Sequence, residues 1–190
     1  MKEILVTETE YNKLIQRLDF YDSTRNNLLT FSFTSVLTVL GVALAMKLDE
    51  ISSWICLIPF LLIIPFSARI AYYRLATAHI NSFLENFCKE KMQFEIGTKV
   101  VKEKQIILFN VIAWLVNHEM VLLSIATSCI FYFKYTLCIS NWDFFHVVGL
   151  FIPIILSTLV YCITDSVYNY DKLIDKFNKK WDDYNNFDDE

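Results

Sequence analysis

Three ionisable residues in apolar surroundings are the first candidates for chemistry in this sequence. His118 and Glu119 are adjacent, and His146 lies further along the same apolar block. An imidazole can carry protons near neutral pH, and ionisable groups inside a membrane span usually face protein or water. The opposing interpretation is that His118 and Glu119 mark the headgroup boundary and that His146 is a satisfied interfacial histidine. The sequence alone leaves both interpretations open.

A stripe of small and hydroxyl-bearing residues in the first apolar stretch is the second candidate. Spacings of three and four place its members on one face of a helix. Such a face lets another helix approach closely, within the protomer or in an oligomer. The alternative is that it lines an aqueous path. The residues of this stripe are Thr30, Thr34, Thr38 and Gly41.

Motifs of known catalytic or binding chemistry do not occur in the sequence. It has no nucleophile motif, no phosphate-binding glycine loop and no His or carboxylate cluster with ligand spacing. The five cysteines form an odd set without paired spacing, which is typical of small apolar residues. The net charge is −4 and no basic tract suggests nucleic acid. We therefore expect no enzyme activity, no cofactor or metal, and no direct nucleic-acid binding.

Membrane-spanning helices are the elements expected to position these residues. The 190-residue chain is 55% hydrophobic and only 20% charged, whereas a soluble domain is closer to a quarter charged. A helix that crosses a bilayer needs about 20 mostly apolar residues. The apolar residues cluster in blocks, the last of which is divided at residues 117–119. We expect an all-α integral membrane protein with four spans, near residues 28–46, 51–68, 118–137 and 144–162.

Amphipathic helices are predicted at both ends of the chain and in its middle. Thr7 and Glu10 have the spacing of a capping box and precede an apolar stripe. The second span is expected to continue beyond the membrane as one long helix, and residues 106–116 to lie at the interface. The chain thus divides into a cytoplasmic helix (1–26), a transmembrane hairpin (27–68), a cytoplasmic and interfacial segment (69–116), a second hairpin (117–163) and a cytoplasmic tail (164–190).

The tail carries a regular apolar line. Its large side chains recur at alternating spacings of three and four, which is a heptad seam and is typical of helices that pack along one another. We expect this seam to contact a second copy of the chain or a cytoplasmic partner protein. Its principal residues are Tyr170, Ile174, Phe177 and Trp181.

The distribution of positive charge predicts the orientation. Of the 17 Lys and Arg residues, all but Lys47 and Lys134 lie in the N-terminal, middle and C-terminal segments. Loops on the cytoplasmic side of a membrane carry an excess of Lys and Arg. Both termini are therefore expected in the cytoplasm, and the lipid bilayer is the first expected partner.

The order of short helix, membrane hairpin, long cytoplasmic helix and further helices resembles small membrane components of bacterial antiphage defence systems. Among these are pore-forming effectors of the SLATT type and the four-span membrane subunit of the Kiwa system. The run that carries the comparison is basic and aromatic and leaves the membrane at residues 68–90, ARIAYYRLATAHINSFLENFCKE.

The resemblance implies a homo-oligomer in the bacterial inner membrane that couples to a cytoplasmic protein partner. Such a protein either opens a pore that depolarises an infected cell or reports a disturbed membrane to its partner. The leading hypothesis is a pore-like effector, and the alternative is a non-conducting sensor or scaffold. A small transporter is a third hypothesis, against which stands the lack of an internal repeat and of glycine-broken spans.

Overall fold

Long apolar stretches between polar turns predict helices, and helices form every regular element that the structure describes. The structure is a computed structural model that describes residues 6–88, 114–139 and 143–187. No strand occurs within these ranges, so the predicted all-α class is confirmed for them. The helices are α1 (Glu8–Ala45), α2 (Glu50–Ile55), α3 (Phe60–Phe87), α4 (Glu119–Cys138), α5 (Phe144–Gly149), α6 (Phe151–Asp165) and α7 (Tyr170–Phe187).

Four helical stretches are long and apolar enough to cross a membrane. They correspond to the four predicted spans, with α2 joined to α3 and α5 joined to α6 in the second and fourth. The predicted interfacial helix at residues 106–116 lies outside the described residues except for its end. The four stretches are Glu8–Ala45, Glu50–Phe87, Glu119–Cys138 and Phe144–Asp165.

Helix α1 joins the predicted amphipathic helix and the first span without a break. The predicted capping box is confirmed: Thr7 N donates to Glu10 Oε2 at 3.0 Å and Glu10 N donates to Thr7 Oγ1 at 3.3 Å. The first of these bonds does most to hold the pKa of the Glu10 carboxyl below its ordinary value. Because no proline interrupts α1 and its one glycine, Gly41, lies near its end, the helix continues for 38 residues.

Two candidate spans contain short interruptions that the sequence analysis did not predict. Residues 56–59 form a turn between α2 and α3, so Pro59 precedes α3 and its missing N–H costs no bond inside that helix. Pro65 lies inside α3, which runs to Phe87 and confirms the predicted long continuation of this helix. In the fourth span, Leu150 separates α5 from α6, and Pro153 lies in the first turn of α6.

The chain forms two compact units. We call residues 25–71 and 117–166 the span unit, and residues 1–24, 72–116 and 167–190 the terminal unit. In the span unit, buried hydroxyls bond to their own helix: Ser32 Oγ donates to the Leu28 carbonyl at 2.6 Å and Thr127 Oγ1 to the Leu123 carbonyl at 2.8 Å. The apolar core around them includes Val36, Leu40, Phe60, Ile63, Leu123 and Phe131.

The terminal unit has a separate apolar core. Leu84 and Cys88, at the end of α3, are buried against the first turns of α1. The α1 side chains on this core recur at helical spacing. They are Tyr11, Leu14, Ile15 and Leu18.

Candidate functional site

The small face of α1, defined by Thr30, Thr34, Thr38 and Gly41, is exposed in the protomer. The three hydroxyls donate to the carbonyls four residues earlier, at 3.0, 2.9 and 2.7 Å. A Cβ atom placed on Gly41 would meet nothing within 4 Å. Because the buried side of α1 is the opposite one, this face is not used for packing within the protomer among the described residues. It remains accessible to another helix, to lipid or to water.

The hydroxyl geometry determines what the small face can do. Each threonine hydroxyl donates its hydrogen to a backbone carbonyl of its own helix, so the hydroxyl donor has a partner inside an apolar span. The oxygen keeps acceptor capacity, so the face is weakly polar rather than inert. Large apolar side chains flank it, with Phe31 and Val42 more than half exposed at 57% and 58%. This face could form a close contact with another helix, and it could equally line an aqueous path.

Lys134 is a functional candidate that the sequence analysis missed. It lies inside α4 and is only 1% exposed. Its ammonium group donates to the Ala43 carbonyl, and also to the Met46 carbonyl at 3.4 Å. The last four carbonyls of a helix lack intrahelical partners, and a cation there is favoured by the helix dipole. Lys134 therefore caps the carboxyl end of α1 from a neighbouring helix.

Lys134 also acts on the turn that follows α1. The Ser52 backbone N–H does most to lower the pKa of the Asp49 carboxyl, and the charge of Lys134 makes a smaller contribution in the same direction. Asp49 and Ser52 form a capping box at the start of α2, with Asp49 Oδ1 accepting from Ser52 N at 2.6 Å. A lone lysine near the end of an apolar 20-residue helix is the sequence signal that could have found this role.

His118 and Glu119 lie together at the start of α4. His118 is 1% exposed, and its ring stacks on Tyr161 of α6 with centroids 6.4 Å apart. Glu119 stands in the first turn of α4, where the helix dipole favours a carboxylate. The imidazole is thus enclosed by protein, while its neighbour is half-buried.

His146 does not join the other two candidates. Helix α4 is 20 residues long, so about 30 Å of helix separates His118 from the turn before α5. Asp143 caps α5, since its Oδ1 accepts from His146 N at 2.9 Å and lies 2.5 Å from His146 Nδ1. On the other side of the ring, His146 Nε2 is 3.6 Å from Glu50 Oε1. The imidazole therefore lies between two carboxylates from two different turns.

The tail seam lies against α3 of the same chain, within the terminal unit. Ile174 is buried, and the rings of Phe177 and Trp181 contact His79 with centroids 4.9 and 5.4 Å apart. The Tyr170 hydroxyl accepts a hydrogen bond from Asn81 Nδ2 at 2.7 Å. The seam thus has an intramolecular partner, and its role in binding a second copy or another protein stays a prediction.

A polar cluster beside the seam was also missed by the sequence analysis. Asn178 Oδ1 accepts from Ser82 Oγ at 2.5 Å and from Asn86 Nδ2 at 2.9 Å. Asn178 Nδ2 donates to Glu85 Oε2 at 3.3 Å. Such networks fix the register of packed helices because each half-buried group needs a specific partner. The spacing of Ser82 and Asn86, one helical turn, was the available signal.

Within the described ranges, no group of three His, Cys, Asp or Glu side chains could hold a metal ion. The small face, the Lys134 cap and the His146 pair of contacts are therefore the sites that the geometry offers. The chain matches no protein-family model, no curated protein and no solved structure.

Proposed function

We propose that this chain is an oligomeric membrane protein of a bacterial antiphage defence system that acts as a pore-like effector. In this proposal it depolarises or permeabilises the infected cell from the inner membrane. The observation that carries the proposal is the uncovered small face of α1, in the C-terminal half of a helix long and apolar enough to span a bilayer.

A close helix contact is the competing role of this face, and its shape suits that role as well. Without a hydrophobic driving force between helices in lipid, close van der Waals packing and polar contacts decide which faces meet. Thr34 and Thr38 leave a shallow surface between larger side chains, and Gly41 exposes its backbone. A second copy of α1 can approach this surface more closely than it can approach the flanking Phe31 or Val42.

A conducting path is supported by the chemistry of the same face. The threonine oxygens retain acceptor capacity after donating to the backbone, and water or a neighbouring helix can use it. Lipid chains cannot. A ring of such faces around an axis would give a wall of hydroxyl oxygens and small side chains, which suits a narrow aqueous pore.

The proposed orientation of the chain in the membrane follows from the distribution of its Lys and Arg residues. Fifteen of the 17 Lys and Arg residues lie in the segments assigned to the cytoplasm, so we place both termini and residues 69–116 on that side of the inner membrane. The terminal unit then faces the cytoplasm, where a protein partner could bind it.

The alternative function is a non-conducting sensor or scaffold that recruits and regulates a cytoplasmic partner. The observation that favours it is the terminal unit itself, which has its own apolar core and its own polar network around Asn178. A pore needs no such folded module, whereas a scaffold does. A small transporter has less support, since the sequence has no internal repeat.

One experiment separates these functions. Purified parent protein and the variants Thr34→Leu and Thr38→Leu are compared for dye leakage from liposomes and for assembly size in detergent. Val42→Leu is the matched control, because it enlarges an exposed residue that flanks the small face. Leu inserts into membranes more readily than Thr, so the variants are not expected to lose membrane levels.

The two readouts together decide the interpretation. Intact assembly with lost leakage supports a pore. Lost assembly, with the Val42→Leu control unchanged, means that the face is a close-packed contact which leucine overpacks. A parent protein that never leaks, with trigger and partner supplied, favours the scaffold.

A further inference from the structure

His146 joins two turns of the span unit through the two nitrogens of its ring. On one side, Nδ1 is 2.5 Å from Asp143 Oδ1, at the start of α5. On the other side, Nε2 is 3.6 Å from Glu50 Oε1, in the first turn of α2. The two carboxylates therefore belong to turns far apart in sequence, and this imidazole is the group between them.

The protonation state of the ring decides whether both contacts are favourable. A neutral imidazole has one N–H and can donate to only one of the two carboxylates, while its other nitrogen presents a lone pair to the second. The imidazolium has two N–H groups and a positive charge, so it can bind both. Only the protonated ring can therefore donate to both carboxylates.

The His146 ring and the two carboxylates are accessible to solvent. The His146 side chain is 21% exposed and the carboxylates of Glu50 and Asp143 are 58% and 59% exposed. From α4, the Tyr135 hydroxyl donates to the His146 carbonyl at 3.4 Å. Lys134 and Asp49 have other partners, since Lys134 caps α1 and Asp49 caps α2. Among the described residues, the groups recorded against the ring are the two carboxylates and the Tyr135 ring, whose centroid lies 6.2 Å from that of the imidazole.

We propose that His146 is a pH-sensitive clasp between the Glu50 turn and the start of α5. The protonated ring holds both carboxylates, so the clasp is closed. The neutral ring keeps one partner, and the two turns separate more often. The proposal does not depend on whether the protein conducts ions.

The test is hydrogen exchange of the full-length protein in lipid nanodiscs at pH 5.5 and pH 8, with labelling times scaled to the intrinsic exchange rate. In the parent, the protection of peptides covering residues 47–53 and 143–150 should fall together at the higher pH. Because the groups are exposed, we expect a change of about two- to fivefold, the range of exposed ion pairs.

Three variants make the result specific. His146→Gln keeps the backbone N–H that Asp143 caps, so α5 should fold while both peptides lose their pH dependence. Glu50→Gln should remove the dependence from residues 47–53 and leave it at residues 143–150. Glu8→Gln, which changes an exposed carboxylate at the start of α1, should leave both responses as in the parent.

Two results would overturn the clasp. If the pH dependence survives in His146→Gln, another group titrates. If only residues 143–150 respond in the parent, the His146 ring serves the local Asp143 cap and does not connect the turns.

Discussion

The ammonium group of Lys134 donates a hydrogen bond to the Ala43 carbonyl, so a cation from α4 caps the C-terminal end of α1. The cation is 1% exposed, and its aliphatic stem lies within the core of the span unit. A buried charge is costly unless it is paired or hydrogen-bonded, and here the carbonyls at the end of α1 supply the partners. The bond fixes the position of α1, the helix that carries the small face.

The first prediction concerns this cap. Lys134→Met removes the ammonium group at similar volume and leaves the carbonyls of Ala43 and Met46 without that donor. We expect a loss of about 1–3 kcal/mol in the free energy of unfolding, because buried acceptors lose their partner. The measurement is denaturant unfolding in detergent, with Lys47→Met, at an exposed lysine, as the control. Equal effects of the two substitutions would show that the cap does not stabilise the span unit.

The second prediction concerns topology. Reporter fusions after residues 26, 98 and 186 should all report the cytoplasm, and fusions near residues 49 and 141 should report the outside. The physical reason is the segregation of Lys and Arg, which retains positively charged segments in the cytoplasm. An outside signal at residue 98 would overturn the four-span arrangement.

The parts of the fold that could be predicted from the sequence are those that local sequence patterns determine. The four apolar stretches and the Thr7–Glu10 capping box were predictable, because segregation of apolar residues and cap spacing are local properties of the sequence. The interruptions before Phe60 and at Leu150 were not, because proline is compatible with the first turn of a helix and with its interior in a span.

The candidate sites were predictable only where one helix defines them. The small face of α1 follows from spacing alone, and the structure leaves it exposed. The contact of Lys134 with Ala43 joins residues that are distant in sequence, and no local pattern shows which carbonyl lies beside a lysine. The heptad seam around Ile174 predicts that α7 packs along a helix, but spacing cannot say that α3 of the same chain is a partner.

The third prediction concerns the tail. Ile174→Asp and Phe177→Asp place a carboxylate in the contact between α7 and α3. We expect each to destabilise the terminal unit by about 2–5 kcal/mol, because apolar packing is lost and a charge is buried. Hydrogen exchange of residues 72–87 should rise, while membrane insertion is unchanged. Lys176→Asp introduces the same group at an exposed position of α7 and should have little effect.

The seam can also be tested for a second role with the same variants. If crosslinking and co-purification match the parent protein while exchange at residues 72–87 rises, the seam serves the protomer alone. If self-association or partner binding weakens while that exchange stays as in the parent, the seam contacts another chain.

The fourth prediction is a pH dependence at the start of α2. The Ser52 backbone N–H lowers the pKa of the Asp49 carboxyl below its ordinary value of 3.8. A lowered folded-state pKa stabilises the fold above the ordinary value, and this contribution is lost as the pH falls through the lower one. Protection of the Ser52 amide should therefore be pH-independent near neutrality and decrease below about pH 4. Asp49→Asn keeps an acceptor and should remove the acid dependence; an unchanged acid response in this variant would refute the assignment.

The most direct measurement of the proposed function is the current carried by purified protein in a planar lipid bilayer under voltage. The parent protein should give discrete conductance steps, and Val42→Leu should resemble it. Thr34→Leu and Thr38→Leu should abolish the steps while their oligomers keep the parent size, because leucine fills the aqueous side of the small face. A parent protein that is inserted and oligomeric but carries no current, with trigger and partner supplied, would contradict the account.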